Sequence, residues 1–218
     1  MKKNPFFVFL GFTLIFTIQS CKEELPPQSI DYRSTKFGSG IYIAGNSGFP
    51  TVDWGSEEGM FLLRGVYQDI SIHAITGEIS WTNTLPLGDT KIQVIAQNSF
   101  GQVSVDLTIT SVMAGKFLGA FNTDPNSTVL DQTGLEMDFL SDGTFKARYN
   151  TFLSSDGSYT LSADNTTISG TFTMPGTTTL YSFEGIISYT ATQKPSITGY
   201  LKQGTSTTWS GYFKVDMQ

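Results

Sequence analysis

Side chains able to do chemistry are sparse in this chain, and their spacing narrows what they can do. There is one histidine, His73, and one cysteine, Cys21. A serine–histidine–aspartate unit could be assembled only around His73, which sits between Ile72 and Ala74 in an alternating stretch. No serine occupies the strained Gly-x-Ser-x-Gly turn that exposes a nucleophile, so His73 reads as a surface strand residue. A metal site needs several imidazoles or a dense carboxylate cluster, and neither occurs; no metal, cofactor or catalytic residue is assigned. The remaining candidates lie in Thr51-Val-Asp-Trp-Gly-Ser-Glu-Glu-Gly59. Paired carboxylates hydrolyse glycosides when held ~5–10 Å apart across a cleft. Nothing places a second carboxylate opposite Asp53, Glu57 or Glu58, and a chain this small has little room for such a cleft. The same loop offers a binding chemistry instead. An indole stacks on the apolar C–H face of a sugar while nearby oxygens take its hydroxyls. Asp53, Trp54 and Glu57 are therefore the candidate ligand-binding residues, set against the plainer reading of Trp54 as a plug at the edge of a β-sandwich.

The first two dozen residues bear on location. Lys2 and Lys3 precede an uncharged, mostly apolar run from Phe6 to Ile18. That run is short of the ~20 residues a bilayer span needs and suits the core of a secretory signal. Ile18-Gln19-Ser20-Cys21 resembles a bacterial lipobox, which implies a signal peptide over 1–20 and lipidation of Cys21. Gln19 departs from the small or apolar residue usual at its position. Lys22-Glu23-Glu24 resembles the export tag that carries some lipoproteins to the outer face of the outer membrane. Leu25-Pro-Pro-Gln28 follows as a stiff solvated spacer, so 21–36 reads as a lipidated cysteine and flexible linker.

The formal charge of −6 is spread along the chain. Residues 30–111 hold eight acids and four bases, and 115–218 nine acids and six bases. Neither half carries the basic patch that a phosphate backbone requires, so nucleic acid is excluded as a partner. Charged residues are only 15% of the chain, while threonine and aromatics alternate through its second half. That composition belongs to antiparallel sheets with many turns, and no convincing amphipathic helix is present. The fold class is all-β.

Two domains are expected. Over 37–112, Gly40–Ile43, Met60–Leu63, Asp69–Ile75, Glu78–Trp81, Lys91–Ala96 and Val103–Ile109 read as short strands of a sandwich. Val112-Met113-Ala114 reads as a short hinge. Over 115–218, eight strands follow: Lys116–Asn122, Leu135–Leu140, Thr144–Tyr149, Ser158–Ala163, Thr166–Thr173, Thr179–Tyr189, Ser196–Lys202 and Thr208–Asp216. Asp142-Gly143, Asp156-Gly157 and Asp164-Asn165 are placed as turns. Eight sequential strands in about 100 residues suggest a small up-and-down barrel, or else a compact sandwich. Phe117, Phe121, Leu135, Met137, Phe139, Phe145, Tyr149, Ile168, Phe172, Ile197 and Leu201 recur at period two and can fill such a barrel. Trp81 reads as core, and so does Trp209, which shares its face with Gly211, Phe213 and Val215. Glu184, on a face with Leu180 and Ile186, is ambiguous.

The stretch Ile70–Ile109 carries Ile-Thr-Gly-Glu-Ile-Ser-Trp, Leu-Pro-Leu-Gly-Asp-Thr and Val-Ile-Ala-Gln-Asn-Ser-Phe-Gly. It resembles bacterial immunoglobulin-like or cadherin-like domains, which implies a cell-surface spacer or adhesive, glycan-associated module without a catalytic site. The calcium-binding carboxylate motifs of true cadherins are absent. The opening Gly-Lys-Phe-Leu-Gly-Ala-Phe and closing Thr-Trp-Ser-Gly-Tyr-Phe-Lys-Val resemble lipocalin-like barrels, in which first and last strands pair. The expectation is a non-catalytic lipoprotein of the outer membrane, exposed at the cell surface, that binds extracellular glycan or joins a surface protein complex. The alternative is a carrier of a small apolar ligand inside the second domain.

Overall fold

The computed structural model describes residues 24–150 and 154–218. Cys21, Lys22, Glu23 and the signal-peptide reading lie outside the described residues. Seventeen strands and no helix make up the described chain. The first nine are β1 (Ser29–Asp31), β2 (Lys36–Gly40), β3 (Gly45–Asn46), β4 (Thr51–Asp53), β5 (Met60–Leu63), β6 (Ile70–Ile72), β7 (Ile79–Trp81), β8 (Gly88–Asn98) and β9 (Gly101–Val112). The next eight are β10 (Gly115–Phe121), β11 (Gln132–Phe139), β12 (Thr144–Tyr149), β13 (Ser155–Leu161), β14 (Thr167–Thr173), β15 (Leu180–Thr190), β16 (Gln193–Gln203) and β17 (Gly211–Met217).

The first nine strands form a two-layer sandwich. A sheet ordered β2-β9-β8-β5 faces one ordered β3-β7-β6, and β1 pairs with β4 beside them. The period-two stripe of β8 and β9 sends Ile92, Val94, Ala96, Leu107 and Ile109 inward, where they meet Phe61, Ile79 and Trp81. β2 joins β9 in parallel, Lys36 opposite Thr108 and Gly40 opposite Val112. Two expectations are corrected here. The flexible linker over 21–36 is part of the sandwich from Leu25 onward: Pro27 is buried, and Ile30 and Tyr32 are core residues. The Tyr32 hydroxyl donates to Gly77 O at 2.5 Å. Likewise Gly40–Ile43 is a turn after β2, with Tyr42 at φ 63.

The last eight strands close into an antiparallel barrel in sequence order, β10 pairing with β17 to complete it. The choice between barrel and compact sandwich is thereby made. Phe117, Phe121, Phe139, Phe145, Phe172, Phe183 and Phe213 all point inward and are at most 2% exposed. Edge-to-face contacts chain Phe145 to Phe183 and Phe183 to Phe213, at 5.6 and 5.9 Å between centroids. An eight-stranded barrel has just enough interior for side chains to fill, and these rings fill it. Asp142-Gly143 and Asp164-Asn165 turn as expected, with Asn165 at φ 57. Asp156-Gly157 does not: both lie in β13, opposite Lys146 and Phe145. A Cβ on Gly157 would come within 2.4 Å of the Phe145 ring, so this glycine is the hole into which that ring packs.

Val112-Met113-Ala114 is not a free hinge, because Met113 is buried. Ile41, Leu87 and Met113, all from the first domain or its exit, belong to the same buried cluster as the barrel interior. Around this apolar seam, Asn165 Nδ2 donates to Leu87 O at 2.9 Å, and the Tyr159 hydroxyl lies 2.7 Å from Met113 O and 2.6 Å from Leu140 O. Burial, and secondarily the negative charge of Asp142, raise the Tyr159 pKa, keeping it a donor.

Candidate functional site

The residues singled out in the sequence around Trp54 come together, and the group that gathers them is Asn98. This buried amide, at the end of β8, donates to Trp54 O at 3.0 Å, Glu57 O at 3.2 Å and Leu25 O at 3.3 Å. Its Oδ1 accepts the N–H groups of Phe100 and Gly101. The Asp53 carboxylate accepts from Gly55 N at 3.0 Å, forming a local turn. Glu57 Oε1 accepts from the backbone N–H of Ser99 at 3.1 Å and also from its hydroxyl. The Trp54 ring is half-buried and packs edge-on to Phe61 at 5.2 Å, against the sandwich core. Asp53 and Glu57 thus direct carboxylate oxygens at the protein's own loops, and the indole closes the edge of the sandwich. His73 is similarly occupied: its Nδ1 accepts the N–H groups of Ile75 and Thr76 at 3.3 and 3.2 Å, capping the turn into β7. Among the described residues no three side chains of His, Cys, Asp or Glu converge as metal ligands would.

A second aromatic group lies on the outer wall of the barrel. β17 begins at Gly211, so Trp209 falls in the preceding connection and not in the barrel core. Space explains the difference. A Cβ at Gly211 would meet Asn122 O at 2.0 Å, so the backbone of the 122–131 loop already closes the barrel at that level. The indole turns outward and lies across β16. Its ring is 5.5 Å from Tyr200, tilted by 35°, and Lys202 Nζ sits 4.3 Å from its centroid. Tyr200 and Lys202 are two apart on one strand and project from the same face, so both contacts fall on the inward side of the indole. Tyr212 meets Tyr200 edge-to-face at 5.5 Å. Tyr200 itself is 46% exposed.

Backbone hydrogen bonds fix this cluster. Ser210 N donates to Leu201 O at 2.6 Å, and Ser210 Oγ accepts from Gln203 N at 3.0 Å, pinning the residue beside Trp209 to β16. Asn122 Oδ1 accepts from Tyr212 N at 2.9 Å while its Nδ2 holds Ser127 O and Val129 O. The polar surroundings are neutral hydroxyls for the most part. Thr160 and Ser169 are 3.1 Å apart through their hydroxyls. Glu184, ambiguous in the sequence, sits opposite Tyr200 on this outer face. Ion pairs lie beyond the cluster on either side: Glu136 pairs with Lys116 at 3.3 Å and Arg148 at 3.5 Å, Lys146 with Asp156 at 3.3 Å, and Lys214 with Asp216 at 3.7 Å.

No family model matches the chain, and no curated protein does. Among solved structures, two crystal forms of human protocadherin-24 EC1-2 are similar to it. One is 10% identical with a TM-score of 0.39, covering 88% of this chain and 97% of that one. The other is 8% identical with a TM-score of 0.38, covering 87% and 96%. Both likenesses are loose, and the architecture stands on its strand pairing alone.

Proposed function

We propose that this chain is a non-catalytic binding module for extracellular glycan, lipid-anchored through Cys21 to the outer membrane and exposed at the cell surface. The observation that carries the ligand class is the trio Tyr200, Trp209 and Tyr212, held on the outer wall of the barrel among hydroxyl side chains. Flat rings offer a sugar its apolar C–H contacts, while Ser169, Thr160 and Glu184 offer hydrogen-bond partners. A scaffold role in a surface protein complex uses the same exposed wall. The alternative of an apolar carrier finds less support, because the phenylalanine rings occupy the interior it would need.

Affinity electrophoresis through gels containing soluble polysaccharides tests the ligand class. The wild-type chain and Trp54→Ala are expected to be retarded by at least one polysaccharide, and Trp209→Ala to migrate freely. Free migration of the wild type in every gel removes glycan as the ligand. For the anchor, Cys21→Ala should move the protein from the membrane to the soluble fraction or leave it uncleaved; normal cleavage with membrane retention contradicts that assignment.

A further inference from the structure

Resting on the glycan reading above, we infer that the outer wall takes the interior of a linear, uncharged oligosaccharide laid across the strands from β13 to β17, about four sugars at a time. The register carries this. Thr160 pairs with Ser169, Ser169 with Glu184, Glu184 with Tyr200 and Tyr200 with Tyr212, which makes one unbroken row perpendicular to the strands. Adjacent strands are ~4.8 Å apart, close to the length of one pyranose unit, so four inter-strand steps give a path of roughly 19 Å and about four sugars.

The chemistry changes along the row in the way a chain needs. Tyr200, Tyr212 and the overlying Trp209 supply ring faces at one end, and the hydroxyls of Thr160 and Ser169 supply exchangeable hydrogen bonds at the other. Glu184 stands between them. Two open grooves flank the path and share Glu184 and Trp209: one of ≈ 460 Å³ lined by Ser158, Thr171 and Ser182 among others, and one of ≈ 300 Å³ lined by Ile186, Thr198 and Tyr200. Both are open to solvent, which suits the middle of a chain better than a terminal sugar held in an enclosed cavity. The charges on and beside the row are Glu184 and Lys202, with Lys214 two residues beyond Tyr212 and paired with Asp216 at 3.7 Å, and the four sum to zero, so an uncharged ligand fits better than an acidic one. Because Ser210 and Asn122 already hold the rings in place, little ordering is required on binding.

Calorimetric titration of the purified full chain with cello-, xylo- and malto-oligosaccharides of two to six units tests the path. In a series that binds, Kd is expected to fall by about tenfold or more from two units to four and to change little from four to six. Thr160→Ala, at the far end of the row from the rings, should weaken the four-unit ligand several-fold and leave the two-unit ligand unaffected. Trp209→Ala should weaken both. Affinity independent of length, or a four-unit ligand indifferent to Thr160→Ala, overturns the cross-strand path while binding itself keeps the glycan reading. Silence of all three series overturns the path as well. Retardation of the same chain in polysaccharide gels then shows whether the glycan reading has failed with it.

Discussion

Trp54 and Trp209 both lie in loops beside a serine and a glycine, yet one ring packs toward the sandwich core and the other lies on the outer wall of the barrel. Trp54 contributes area to the sandwich core through Phe61, so Trp54→Ala should lower stability by about 2–3 kcal/mol, toward the low end for aromatic truncation because the ring is only half-buried. Urea unfolding measures this, and a loss below ~0.5 kcal/mol would move Trp54 to the surface class. Trp209→Ala forfeits one aromatic pair and one half-buried cation–π contact, about 1 kcal/mol in all. Two exposed carboxylates add a pH dependence. Hydrogen bonds from the Thr144 side chain and backbone lower the Asp142 pKa below its ordinary 3.8, and the Ser162 hydroxyl leads the lowering at Asp164. A group depressed in the folded state stabilises it fully above the ordinary value and loses that contribution as pH falls through the folded value. The double variant Asp142→Asn, Asp164→Asn should therefore show a shallower loss of stability below pH 3.8 in acid titration; an unchanged acid limb would mean the two turns are not linked to folding.

At the scale of elements, the barrel was legible because one rule governs its whole length. Side chains alternate in and out, so Phe117, Phe139, Phe145, Phe172 and Leu201 could be assigned inward from parity alone. The same rule misplaced Trp209, since parity holds only while the strand continues, and the backbone of Asn122 stops it at Gly211. The run Gly-Thr-Ser-Thr-Thr just before Trp209 was the available signal of a turn. Gly157 misleads for a related reason: a glycine in a strand looks like a turn until the ring that occupies its missing side chain is known. Gly157→Ala should cost about 1–3 kcal/mol by overpacking against Phe145, seen as a lowered thermal midpoint. Full tolerance of the alanine would mean that Phe145 has another place to go. The early strand β1 hid behind two prolines, although Ile30 and Tyr32, two apart and both apolar, carried the strand period. The site on the barrel wall was out of reach, because which strands adjoin, and in what register, is decided by closure of the sheet.

For the whole molecule, the seam between sandwich and barrel matters most. Met113 is 1% exposed although it lies in the connection between domains. Met113→Ala is expected to destabilise by about 2–4 kcal/mol, as in a domain core, where a free linker would give almost nothing. Equilibrium urea unfolding of the variant decides between the two. Chain entry and barrel lie at opposite ends of the sandwich. Leu25 is tied to the hairpin between β8 and β9, and the barrel follows the far end of β9, twelve residues or roughly 40 Å away. The parallel pairing of β2 with β9 then has a mechanical meaning. A pull between the two ends drags β2 by its first residue and β9 by its last, in opposite directions along one ladder. Every hydrogen bond from Lys36–Thr108 to Gly40–Val112 is loaded at once in shear, and none can unzip before its neighbours. The sandwich is thus built as a clamp against force.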